Sequence, residues 1–221
     1  MTTRLVIPVQ HRLDAVVTVP GSKSIANRAL VCAALAGGES TLSNLPDGDD
    51  TEAMLECLAA LGIGVTRGGP ANVRVGGTAG RLGAEPTVLP ARLAGTTSRF
   101  VTAVAALGSA ACTIDGEPPL RRRPMGPLHD ALAALGASVS APEPGRLPVT
   151  ITGPVRGGSV ELAGDVSSQF VTALMLIGPY VPGGLHITLT SALVSRPYLE
   201  MTRVVMGQFG HTAVAIDDAH I

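Results

Sequence analysis

The sequence predicts an α/β domain of three βαβαββ repeats, set with approximate three-fold symmetry around buried helices. Two independent registers carry that prediction. SKSIANRALVCAALAGG, GTTSRFVTAVAALGSA and VSSQFVTALMLIGPY align, with Arg28, Arg99 and Gln169 at equivalent places, 71 and 70 residues apart. TEAMLECLAALGIGV, GPLHDALAALGASV and LEMTRVVMGQFGHTAV align in turn, with Gly62, Gly136 and Gly210 at equivalent places, 74 and 74 residues apart. Two registers at nearly one period mark a repeated supersecondary unit.

Unit one reads as a strand over 15–20, a helix from about 24 to 35, a strand over 40–45, a helix from about 50 to 61, then strands over 62–67 and 72–77. Gly37, Gly38 and Gly62 are helix-stop signals, and Pro124 and Pro197 suit a helix's first position. The first helix of each unit is apolar nearly all round, which predicts burial. The second carries a polar face: Glu52 and Glu56, His129 and Asp130, Glu200 and Arg203. The three apolar helices therefore pack on one another, with strands and amphipathic helices outside.

The chain's ends read differently. In units one and two the last strand follows the aligned glycine by about ten residues, and the same count from Gly210 reaches Ile221, the final residue. The third unit is expected to stop before its last strand. The opening RLVIPV has no place in the count. We expect a domain over 13–221, and a strand segment over 1–12 that pairs with an absent C-terminal domain.

Composition removes several function classes. With 16 basic and 17 acidic residues the net charge is −1, so no basic field draws in nucleic acid. Aromatics are 2% of the chain, too few for a base-stacking surface, and 46% hydrophobic residues exclude disorder. Mean hydropathy is +0.37, yet the longest stretch without charge, 166–195, is broken by Gly178, Pro179, Pro182, Gly183 and Gly184. Its apolar part is far below the roughly 20 residues of a membrane span. No signal-peptide core precedes the first charges, so a cytoplasmic place is expected. Cys32, Cys57 and Cys112 lie far apart in apolar patterns and read as buried free thiols, with no metal spacing.

The chemistry gathers at the starts of the three apolar helices. Their lead-ins, Gly21-Ser22-Lys23-Ser24, Ala94-Gly95-Thr96-Thr97 and Val166-Ser167-Ser168-Gln169, are small and polar. Symmetry brings the three together, and helix N-termini attract anions, so a phosphate or carboxylate ligand is indicated. Ordinary capping by Ser and Thr is the other reading. Lys23 is the only lysine among the basic residues. Arg28 and Arg99 lie on apolar helices and must be paired, with Asp49 or Asp50 for instance, or face a ligand. Of Arg121, Arg122 and Arg123, the last stands nearest the cleft. GSKS lacks the glycines of a P-loop, and the five histidines fall in no motif.

PGSKSIANRAL (20–30), DGDDTEAML (47–55), LAGTTSRF (93–100), RRRPMGPL (121–128), DVSSQF (165–170) and SRPY (195–198) together resemble the 5-enolpyruvylshikimate-3-phosphate synthase family. UDP-N-acetylglucosamine enolpyruvyl transferase is the next resemblance, but its reactive-cysteine loop has no counterpart, since GEPPLRRRP holds no Cys. The resemblance implies one domain of an inside-out α/β barrel, about half of a two-domain enzyme. It implies transfer of the enolpyruvyl group of phosphoenolpyruvate to the 5-hydroxyl of shikimate 3-phosphate, with release of phosphate and no cofactor or metal.

By that resemblance Ser24, Arg28, Ser167, Ser168, Gln169, Ser195 and Tyr198 hold shikimate 3-phosphate, and Lys23, Gly95, Arg123 and Gln169 hold phosphoenolpyruvate. Asp49 is expected to orient Lys23 and Arg28, which makes Lys23 and Asp49 the catalytic pair. The acidic proton-transfer residue is implied to lie in the other domain, so the chain is expected to be inactive alone. The alternative is a non-catalytic phospho-ligand-binding domain. Leu93, Ser98 and Phe100 depart from the family's frequent Asn, Met and Pro, which bears on inhibition by glyphosate more than on the reaction.

Overall fold

A computed structural model describes residues 5, 7–69, 71–193 and 195–221. Unit one contains α1 Lys23–Leu35, β1 Gly37–Leu42, α2 Asp49–Ala60, β2 Gly64–Gly69 and β3 Asn72–Thr78. Unit two contains β4 Thr87–Pro90, α3 Gly95–Ala105, β5 Cys112–Asp115, a one-turn helix α4 Pro118–Arg121, α5 Gly126–Ala134, β6 Ser138–Ser140 and β7 Val149–Thr152. Unit three contains β8 Gly158–Leu162, α6 Ser168–Ile177, β9 Leu185–Leu189 and α7 Arg196–Gln208.

The repeat is visible in the strand pairing. β1 and β5, which follow the first helix of their units, pair antiparallel with the last strands β3 and β7. Those last strands pair antiparallel with their hairpin partners β2 and β6. β4 pairs parallel with β5, and β8 with β9. The three aligned glycines explain the shared register. Gly62, Gly136 and Gly210 follow the second helices with φ of 80°, 96° and 91°, the left-handed conformation that ends a helix and that glycine adopts without a Cβ penalty.

Burial follows apolarity. α3 and α6 pack closely, α1 packs on both, and Phe100 and Phe170 are fully buried among small aliphatic residues. The hydroxyls inside this bundle are satisfied locally. Ser98 Oγ donates to Gly95 O at 2.9 Å, Thr102 Oγ1 to Ser98 O at 2.7 Å and Thr202 Oγ1 to Tyr198 O at 2.7 Å. Bonds to the helix's own carbonyls let these polar residues sit in the core without an unpaired group.

Three expectations are corrected. Residues 15–20 form no strand: Val16, Val17 and Val19 are 100%, 77% and 68% exposed, and among the described residues they enter no strand pairing. Alternating apolar residues make a strand only when a neighbour takes up their backbone groups. After α7 the third unit forms no further strand among the described residues, only an isolated antiparallel bridge between Thr188 and His220: Leu189 N donates to Ala219 O at 2.7 Å, and Ile187 and Ile221 exchange bonds at 2.8 and 3.0 Å, on the side of β9 where β7 stands beside β5. Pro197 is the second residue of α7, one past the expected first position, and Pro127, not Pro124, serves α5. His129 is buried rather than on the polar face of α5, and burial lowers its pKa. Of the opening segment, Met1–Arg4 and Val6 lie outside the described residues, and 7–12 are exposed without regular structure.

The three cysteines are buried and unpaired. Burial pushes the thiols of Cys32 and Cys57 up to about 12 and raises that of Cys112. Because the thiolate is the nucleophile, a disulfide reagent at pH 8 is expected to titrate almost none of the three in the folded chain and all three in denaturant. One rapid equivalent from the folded chain would contradict this packing.

Candidate active site

The N-termini of α1, α3 and α6 open on one cleft of about 540 Å3, joined by the start of α7. Its walls carry Lys23, Ser24 and Arg28 from α1, Gly95 and Thr96 from α3, and Ser167, Ser168 and Gln169 at α6. Ser195 and Tyr198 of α7 and Arg123 from the turn before α5 complete them, with Asp50, Leu93 and Val166. All ten residues expected to hold ligand lie on this one surface.

The helix starts leave donors available. Neither Ser22 before α1 nor Ala94 before α3 caps its helix with a side chain; only Ser167 does, accepting from Gln169 N at 3.3 Å. The exposed N–H groups and partial positive charge of such helix ends favour an anion. Gln169 Nε2 donates to Thr96 Oγ1 at 3.3 Å, which ties the starts of α6 and α3 together.

Charge in the cleft is strongly biased. Three cations, Lys23, Arg28 and Arg123, face one carboxylate, Asp50, in a chain whose net charge is −1. Lys23 Nζ pairs with Asp50 Oδ2 at 3.2 Å, an exposed contact that holds the ammonium over the opening. Arg28 is 2% exposed and has no carboxylate partner among the described residues. It donates to Thr202 Oγ1 at 2.8 Å, Ser24 O at 2.8 Å and, more weakly, Thr172 Oγ1 at 3.4 Å. Burial therefore lowers its pKa to about 10. Such a charge costs free energy unless an anion approaches it.

The repeat extends to aromatic contacts. Arg28 lies over the Phe100 ring at 5.5 Å, and Arg99 over the Phe170 ring at 5.3 Å. Each helix's arginine rests on the phenylalanine of the next helix, which gives Phe100 a packing role. Arg99 is not a wall of the cleft. It is buried, donating to Gly95 O at 2.7 Å and Pro124 O at 3.1 Å, and burial lowers its pKa to about 10.

One expected residue faces elsewhere. Asp49 touches neither Lys23 nor Arg28; its Oδ1 accepts from Arg92 Nη1 at 2.5 Å, and Asp50 takes the place beside Lys23. One residue along a helix is a rotation of about 100°, so adjacent carboxylates at the start of α2 face different ways. Asp50, Thr96 and Val166 were not singled out as site residues from the sequence, although the lead-ins contain two of them. Of the three consecutive arginines Arg123 alone lines the cleft, while Arg121 pairs with Asp115 at 2.7 Å. Among the described residues no cluster of three or more His, Cys, Asp or Glu could hold a metal ion, and no helix is long and apolar enough to cross a membrane.

The chain is similar to known proteins in sequence and fold. A family model described as EPSP synthase (3-phosphoshikimate 1-carboxyvinyltransferase) matches residues 7–219. The 3-phosphoshikimate 1-carboxyvinyltransferase of Shewanella halifaxensis (strain HAW-EB4) is 44% identical over 204 residues, covering 90% of this chain and 48% of that protein. The protein of the same description from Shewanella loihica (strain ATCC BAA-1088 / PV-4) is 42% identical over 211 residues, covering 93% and 49%. The solved structure of EPSP synthase from Acinetobacter baumannii superposes with a TM-score of 0.78 at 23% identity, covering 92% of this chain and 45% of that one. That likeness shows the enolpyruvyl transferase-like α/β fold. The chain spans about half the length of the curated relatives it matches. It belongs to the EPSP synthase (3-phosphoshikimate 1-carboxyvinyltransferase) family.

Proposed function

We propose that this chain supplies the shikimate 3-phosphate-binding half of an enolpyruvyl transferase that works in the cytoplasm and needs a second domain for turnover. The observation that carries the reading is the cleft in which three cations and two uncapped helix starts face a single carboxylate. In the reaction, the 5-hydroxyl oxygen of shikimate 3-phosphate bonds to C2 of the enolpyruvyl group. The C–O bond to phosphate breaks, phosphate leaves, and the hydroxyl proton is lost. Both substrates are multiply charged anions and repel each other. Bringing them side by side therefore requires preorganised positive charge.

The residues divide by chemistry. Ser24, Ser167, Ser168 and Ser195 offer hydroxyls and helix N–H groups to the phosphate of shikimate 3-phosphate, and Arg28 and Tyr198 serve its ring and carboxylate. Lys23, Gly95, Arg123 and Gln169 hold phosphoenolpyruvate, with Asp50 restraining Lys23. The buried unpaired cysteines suit a reducing compartment.

Phosphate release measures the reading directly. With both substrates saturating, this chain alone is expected to match the blank, and release is expected to rise when the remaining half of a relative is added as a separate polypeptide. Turnover by this chain alone would overturn the division of labour. Tight binding of shikimate 3-phosphate with no gain on adding the second half would favour the binding-only alternative.

A further inference from the structure

The turn that delivers the start of α3 to the cleft is held in an uncommon backbone conformation. Arg92 has φ of 49°, the left-handed region that a residue with a Cβ enters at a cost. Its carbonyl accepts from Glu117 N at 2.8 Å, and Ala94 N closes the turn around it on Ala91 O at 2.8 Å. Its side chain is anchored separately on α2. Nε donates to Glu56 Oε2 at 3.1 Å, Nη2 donates to Glu56 Oε1, and Nη1 donates to Asp49 Oδ1 at 2.5 Å. The guanidinium thus forks onto one carboxylate and reaches a second, a geometry a lysine could not reproduce.

The next residue is Leu93, which is 44% exposed on the cleft wall, and Gly95 and Thr96 follow it. The same helix α2 supplies Asp50 to Lys23. We propose that Arg92 is a positioning residue: clamped by Asp49 and Glu56, it holds the 91–94 turn in its left-handed form and so aims the α3 N-terminus and Leu93 at the anionic ligand. The sequence gives Asp49 a direct part in the cleft; here its part is to hold Arg92. The inference rests on the cleft being an anion site.

The test must separate positioning from simple charge. If Arg92 acted only by its positive field, removing Glu56's charge would tighten an anion; if it acts by position, the same change weakens one. The full chain, 15N-labelled, is titrated with phosphoenolpyruvate, and amide exchange at Leu93, Ala94 and Gly95 is measured without ligand. Arg92→Ala and Glu56→Gln are both expected to weaken phosphoenolpyruvate about three- to tenfold and to speed exchange in the turn, with Arg92→Lys failing to restore either. Tighter or unchanged binding in Glu56→Gln would overturn the proposal, as would unchanged exchange in both variants. Glu56→Gln, an exposed and isosteric change, keeps the test open if Arg92→Ala folds poorly. If the parent chain shows no shift at Lys23, Gly95 or Ser168, the anion-site reading fails, while the exchange measurements still decide whether Arg92 holds the turn.

Discussion

Replacing Gly95 with alanine is expected to weaken phosphoenolpyruvate binding by roughly ten- to a hundredfold, the cost of a lost or displaced bond to a charged group at about 1.5–3 kcal/mol. The cause is not a methyl group pushed straight into open space. A Cβ on residue 95 would stand 2.5 Å from Arg123 Nη1 and 2.9 Å from Arg99 Nη1. Arg99 is buried and held by two carbonyls, so it yields little. Arg123 is exposed and unpaired among the described residues, so its guanidinium moves, and the cleft loses a cation where the ligand needs one. Stability should change by less than about 1 kcal/mol, since alanine favours the first turn of a helix and offsets part of the crowding. Isothermal titration of parent and variant decides the point. Equal affinities would mean that Gly95 serves only the backbone and that Arg123 is not a ligand group.

Arg28→Met is expected to separate stability from binding in opposite directions. In the parent, a guanidinium 2% exposed is bonded to hydroxyls and carbonyls but to no carboxylate among the described residues. Its pKa of about 10 lies below its ordinary value, so the unfolded chain holds the proton more tightly. That penalty is present in full below pH 10 and fades as pH rises above it. An apolar side chain of similar length removes the penalty, and exchanges of this kind are neutral or stabilising by about 1–4 kcal/mol. The ligand-free variant should therefore melt no lower than the parent at pH 7. Thr172 and Thr202 remain satisfied by each other, at 3.4 Å, and by Tyr198 O.

Binding should move the other way. Shikimate 3-phosphate at a hundred times its Kd would stabilise the parent by about 2.7 kcal/mol. At this chain length that is roughly a 5–10 °C rise in melting temperature. The Arg28→Met variant should show little of that rise. A variant that is much less stable without ligand, yet gains as much from it as the parent, would assign Arg28 to the fold and not to the site.

Much of this was legible in the residues. The spacing of Gly62, Gly136 and Gly210 works because left-handed backbone at a helix end selects glycine locally, whatever surrounds it. The all-apolar character of α1, α3 and α6 announced the central bundle because a helix without a polar stripe has no face to give to water. Symmetry brings the three equivalent helix starts to one cleft, so Lys23, Ser24, Gly95, Ser167, Ser168 and Gln169 meet there, whereas Ser195 and Tyr198 at α7 were indicated only by the family resemblance.

Other features needed the chain folded. Which of two adjacent carboxylates faces Lys23 depends on the rotation of α2, and neither composition nor spacing carries that phase. Whether residues 15–20 make a strand depends on an edge to receive them, and strand pairing is a contact between distant segments. His129 reads as a surface residue until the packing of α5 covers it. The sequence by itself determined the threefold repeat, the buried helices and the small, polar lead-ins of the three helix starts, since these follow from local backbone preference and side-chain polarity. Only the tertiary structure decided the partners of Asp49, Arg28, Arg92 and Arg99, because long charged side chains choose among acceptors by distances that arise after the helices have packed.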